Sequence, residues 1–102
     1  MLEKIKIGNK LIGNNQKTFI IAEVGQAHEG KISKVFKYID AISKTGVDAI
    51  KFQTHIAEEE STLDEPFRKN FNFKIKNRFD YWKSVEFSLD QWKSIKRYSE
   101  KK

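Results

Sequence analysis

The chain has 102 residues, 20 Lys and Arg against 14 Asp and Glu, with 38% hydrophobic and 33% charged side chains, which fits one small soluble domain or a piece of a larger one. With no cysteine, disulfides and thiolate metal sites are excluded, and a reducing, cytoplasmic setting is expected. No apolar run has the length of a membrane span, and residues 1–10 alternate charged and aliphatic side chains where a signal peptide would be apolar, so neither a membrane partner nor an export address is expected.

The chain starts with Ile5, Ile7, Leu11 and Ile12 around Gly8-Asn9-Lys10, a pattern that predicts a short β-hairpin within residues 1–16. Residues 18–24 then form a nearly continuous apolar run ending at Gly25, as expected of a strand covered on both faces. After Gly30, apolar residues at Ile32, Val35, Phe36, Ile39 and Ile42 lay one stripe along a helix, and Gly46 supplies its stop. Residues 47–54 read as a second strand, so residues 17–54 make a strand-helix-strand unit with parallel strands. Residues 55–87 show no clean period and are predicted to be a long loop, acidic at Glu58, Glu59 and Glu60 and then basic and aromatic. Ser88 and Gln91 spell a capping box ahead of Leu89, Trp92, Ile95 and Tyr98, which predicts a second helix over 88–102.

Strand, helix, strand, loop and helix are two βα repeats, and two strands with two apolar faces cannot close a sheet. The expected fold class is therefore α/β, an incomplete N-terminal portion of a (β/α)8 TIM barrel preceded by the hairpin. A chain of this kind, with free strand edges, is expected to be aggregation-prone and inactive alone.

Alternation along the strands groups Phe19, Ile21 and Glu23 with Ala49, Lys51 and Gln53 on the inward face. The polar members lie near the C-terminal strand ends, where barrel enzymes place their chemistry. A carboxylate, an ammonium and an amide together suit a substrate with anionic groups and hydroxyls: Lys51 as a point charge for phosphate or carboxylate, Glu23 as a hydrogen-bonding or proton-handling group, and Gln53 as donor and acceptor. The competing reading makes Glu23 and Lys51 a buried structural ion pair. His55 follows the second strand at the mouth and is expected to touch substrate. His28 and His55, without a nearby third ligand, are a weak metal signal.

The run Ile20-Ile21-Ala22-Glu23-Val24-Gly25-Gln26-Ala27-His28-Glu29-Gly30 resembles the first-strand motif of the sialic acid synthase family, and Gly46-Val47-Asp48-Ala49-Ile50-Lys51-Phe52-Gln53-Thr54 resembles its second. Arg78-Phe79-Asp80-Tyr81-Trp82-Lys83, with Glu86-Phe87-Ser88 and Gln91-Trp92, is similar to a bacterial branch of that family making N-acetylneuraminate and related nonulosonic acids. One departure is Ala27, where the family often has Asn. The resemblance implies condensation of phosphoenolpyruvate with an N-acylated mannosamine-type sugar to a nine-carbon 2-keto acid and phosphate. It also implies a divalent metal, manganese or magnesium, held by residues outside this chain, and a possible homodimer when intact. By the same resemblance Lys51 binds phosphoenolpyruvate, Gln53 contacts the sugar, and Glu23 lies beside the reacting carbons.

Three alternatives stay open on the sequence. The turn from Gly25 to Ile32 nearly spells the phosphate loop of nucleotide hydrolases, but Ile32 stands where that motif needs Ser or Thr. Phe71, Phe73 and Phe79 interleave with Lys69, Lys74, Lys76 and Arg78, as in a small basic nucleic-acid binder, although no nucleic-acid partner is expected because solvated helix faces account for the +6 charge more simply. The third is a non-functional truncated product.

Overall fold

The computed structural model describes residues 3–66 and 77–102. At its start β1 (Ile5–Ile7) pairs antiparallel with β2 (Lys10–Ile12), Ile5 opposite Ile12 and Ile7 opposite Lys10. This ribbon is tied to the rest of the fold by Asp48, whose carboxylate pairs with the Lys10 ammonium and accepts from the Ile20 backbone N–H at 2.8 Å. Those two contacts, the Lys10 bond foremost, hold the Asp48 carboxyl below its ordinary range.

The apolar run ahead of Gly25 forms β3 (Ile21–Gly25), and the second forms β4 (Ala49–Phe52), paired parallel with Ile21 opposite Ala49 and Glu23 opposite Lys51. Both strands are shorter than the sequence runs. Below Ile21 the Ile20 carbonyl accepts from the amides of Asp48 and Ala49, while the Ile20 N–H donates to the Asp48 carboxylate. Between the strands, α1 (Ile32–Ser43) carries the predicted stripe, with Val35 and Ile39 buried. Gly46 follows at φ +83°, the left-handed conformation that reverses the chain into β4.

The chain after β4 contains α2 (Ala57–Glu60), α3 (Arg78–Val85) and α4 (Leu89–Glu100). The expectation of an unbroken loop over 55–87 is corrected by α2 and α3. Phe, Asp, Tyr, Trp and Val are modest helix formers, so α3 leaves little propensity signal. It is nucleated by Asn77, whose side chain accepts from the Asp80 N–H at 2.8 Å. At α4 the capping box forms as expected: Ser88 N–H donates to Gln91 Oε1 at 2.8 Å, and Gln91 N–H to Ser88 Oγ at 3.2 Å. Leu89 leaves the expected stripe. As the first residue of α4 it lies ahead of the contact with α1 and is 70% exposed.

The core lies on one side of the two-stranded sheet. Val35 and Ile39 of α1, Ile95 of α4 and Phe87 ahead of α4 are buried together, with Ile50 and Phe52 of β4 packed on them. Trp92 meets Phe87 edge-on at 5.3 Å, and Phe36 meets Tyr98 at 4.5 Å. The Tyr98 hydroxyl donates to Asp40 at 2.6 Å, fastening α4 to α1 at their outer edge. Among the described residues, no helix is long and apolar enough to cross a membrane.

Candidate functional site

The C-terminal end of β3 is irregular: the register advances from Glu23 opposite Lys51 to Gly25 opposite Phe52, leaving Val24 as a bulge turned into the interior. Gly25 takes φ +59°, and a Cβ there would lie 3.9 Å from Gln53 Oε1 and 4.0 Å from Glu23 Oε1. Glu23 Oε1 is 3.7 Å from Lys51 Nζ. Carboxylate, ammonium and amide thus gather around one backbone turn at the strand ends, on the face opposite the core.

This arrangement bears on the ion-pair alternative. Glu23 and Lys51 do pair, and among the described residues their side chains are 56% and 58% exposed. A pair this open contributes little to stability.

Past Gly25 the chain turns through His28, which has no exposed surface. Its Nδ1 accepts from the Gly30 N–H at 2.9 Å, so the neutral ring carries its proton on Nε2. Burial, and secondarily the neighbouring His55, lower the His28 pKa. Phe87 at 4.7 Å and Phe52 at 6.5 Å complete its surroundings, making it an interior histidine. The same contact bears on the phosphate-loop alternative: the Gly30 amide is already committed to His28, and Ile32 packs against the core.

Helix α3 crosses this turn. Gly30 has φ +76°, and a Cβ on it would come within 2.0 Å of the Ser84 carbonyl oxygen, so only glycine lets the C-terminal turn of α3 come so close. The Tyr81 hydroxyl lies 3.4 Å from Gln26 Oε1, one residue beyond Gly25. On the β4 side, His55 is placed differently from the expected substrate contact. Its ring is 8% exposed, stacks on Trp82 at 4.1 Å with an interplanar angle of 16°, and pairs through Nδ1 with Glu60. Glu23, Lys51 and Gln53 therefore come together, while His55 lies beneath α3.

Gly30, Trp82 and Glu60 were named from the sequence but given no role in seating α3. For Gly30 the available signal was a glycine between a strand-end turn and a helix start. For Trp82 it was the Asn77-to-Asp80 cap spacing, which marks α3. Of the residues suggesting a nucleic-acid binder, Lys69, Phe71, Phe73, Lys74 and Lys76 lie outside the described residues. Among the described residues no three His, Asp or Glu side chains converge as a cation site.

Comparison with known proteins gives the family and the fold. Residues 38–102 match the model of the NeuB family. The chain is 36% identical over 100 residues to an uncharacterized protein of Methanocaldococcus jannaschii, covering 98% of this chain and 26% of that one. It is 30% identical over 92 residues to the N-acetylneuraminate-9-phosphate synthase of Homo sapiens, covering 87% of this chain and 25% of that one. The N-acetylneuraminic acid (sialic acid) synthetase of Leptospira borgpetersenii serovar Hardjo-bovis, solved in complex with citrate, superposes with a TM-score of 0.75 at 28% identity, over 97% of this chain and 31% of that one. The chain thus spans about a quarter of the length of these curated relatives, and its fold is the N-terminal portion of a sialic acid synthase barrel. By its family match and its strand-end motifs, the chain belongs to the NeuB family.

Proposed function

We propose that Glu23, Lys51 and Gln53 form part of the substrate site of a phosphoenolpyruvate-dependent synthase that joins phosphoenolpyruvate to an N-acylated mannosamine-type sugar, releasing a nine-carbon 2-keto acid and phosphate. The activity is that of the barrel to which these strands belong. The observation that carries the reading is the gathering of the three side chains around Gly25, with Glu23 and Lys51 3.7 Å apart and open to solvent.

Each group has a role suited to its chemistry. The Lys51 ammonium, a compact charge on a flexible stem, neutralises the phosphate or carboxylate of phosphoenolpyruvate. Gln53 donates to one sugar hydroxyl and accepts from another. Glu23, held beside Lys51, orients the attacking water or takes its proton once the methylene carbon of phosphoenolpyruvate has bonded to the sugar aldehyde. The aldehyde oxygen becomes a hydroxyl, water adds to the phosphate-bearing carbon, and that carbon's bond to the phosphate oxygen breaks, releasing phosphate and leaving the 2-keto group. A divalent cation, when bound by the complete barrel, would polarise the sugar carbonyl.

The test is titration of phosphoenolpyruvate into the protein, followed by NMR at the amides of residues 23, 51 and 53. Saturable shifts confined to these strand ends and lost in Lys51→Ala are expected. No shift at millimolar ligand, or shifts indifferent to Lys51→Ala, would overturn the assignment.

A further inference from the structure

We infer that His55 is a positioning residue, the clamp that fixes α2 and α3 to the end of β4, two residues beyond Gln53. Two helices contribute to its burial: Glu60 of α2 takes Nδ1, and Trp82 of α3 covers the ring face. From Trp82 the contacts continue. The Arg78 guanidinium lies 5.8 Å over the indole and donates to Glu65 Oε1 at 2.9 Å, and Ser61 Oγ donates to Glu65 Oε2 at 2.7 Å. Lys83 of α3 lies 3.5 Å from Glu58 of α2. Apart from His55, the side chains of this network belong to residues 58–83. His55 is its point of attachment to β4, two residues beyond Gln53.

The chemistry of the clamp divides into separable parts. A stacked aromatic contact and a hydrogen bond to a carboxylate each contribute modestly, and both act on one small ring. Removing the ring frees Trp82 and Glu60 together, whereas removing the Glu60 carboxylate leaves the stack. What the clamp positions rests on the site reading above; the clamp itself does not.

Amide hydrogen exchange decides the matter, because local opening of one helix is distinguishable from global unfolding. In His55→Ala, exchange across residues 78–85 should accelerate on the order of tenfold or more, as for loss of a stacked, hydrogen-bonded contact. Exchange across 32–43 and 89–100 should keep its wild-type rate. Glu60→Ala, at a partly exposed position, should give a smaller acceleration of the same segment and serves if His55→Ala does not fold; His55→Asn, which keeps a donor near Nδ1, should recover part of the protection. Unchanged exchange over 78–85, or equal acceleration over 78–85 and 89–100, would overturn the clamp. With phosphoenolpyruvate as probe, His55→Ala should weaken binding several-fold, and Lys51→Ala should abolish it without altering exchange. Absence of binding in wild type would instead count against the site reading, leaving the exchange result to decide the clamp.

Discussion

The two faces of the β3–β4 sheet are built on opposite terms. Toward α1 and α4, Ile50 and Phe52 close against Val35, Ile39, Phe87 and Ile95. On the other face Ile21 is 56% exposed, and beside it stand Glu23 and Lys51, charged and open. Stability is concentrated on the first face, where apolar area leaves water. The second carries the charged pair proposed above as part of a substrate site, and its apolar residues are patterned for cover that the described residues do not supply.

The strongest test of this contrast is a pair of truncations. Ile39→Ala, at a position 3% exposed, should cost about 2 to 5 kcal/mol, enough to abolish cooperative thermal unfolding in a domain this small. Ile21→Ala should cost well under about 1 kcal/mol. Equal losses in the two variants, measured by urea denaturation, would erase the distinction between the faces. Next in size is Gly30→Ala, which meets both a left-handed backbone and the Ser84 carbonyl. A destabilisation of about 2 kcal/mol, with α3 displaced, is expected in the same assay. A neutral effect would mean that α3 does not rest on this turn.

The same contrast explains what could be read in advance. On the packed face, Ile32, Val35, Phe36 and Ile39 recur at helical spacing, and Ser88 with Gln91 announces α4, because burial and capping impose local patterns. Glu23, Lys51 and Gln53 were legible through strand parity, which survives the bulge at Val24 because Glu23 precedes it and Lys51 and Gln53 lie on and just past the unbulged β4. The seating of α3 was not legible. It depends on Gly30 meeting Ser84 and His55 meeting Trp82, contacts between residues 54 and 27 positions apart that no local period records. His55 looked available because it follows a strand end; its burial is set by a helix that begins 23 residues later.

Titration sharpens the comparison further, because the interior face contains a histidine. Burial lowers the folded-state pKa of His28, so the unfolded chain takes up the proton first. Its stabilising contribution is full above the unfolded value of about 6.5 and is lost as pH falls from there toward the folded value. Chemical denaturation between pH 7.5 and about 5 should show this loss, and His28→Phe should flatten that part of the profile. A profile unchanged by the substitution would assign the loss to other groups. Asp48 acts in a lower window: its depressed carboxyl stabilises above about pH 4, and that support vanishes as pH falls through its folded value. Detachment of the β1–β2 ribbon, followed by NMR at Ile7 and Leu11, should therefore come only in acid.

The smallest expected effect on stability belongs to Lys51→Ala, and it is the one that most sharply separates the two faces. The ammonium is exposed and its partner at 3.7 Å is equally so, hence its loss should change unfolding free energy by no more than about 0.5 kcal/mol. Phosphoenolpyruvate binding should nevertheless disappear, because no uncharged side chain at that position can replace the anion's counter-charge. Glu23→Gln should likewise leave the fold intact, and in the complete barrel it should depress turnover more than it raises KM, since it removes a proton-handling carboxylate and keeps a hydrogen-bonding amide. If Lys51→Ala instead unfolds the protein, the open pair is structural after all, and the sheet has two load-sharing faces in place of one packed face and one reactive face.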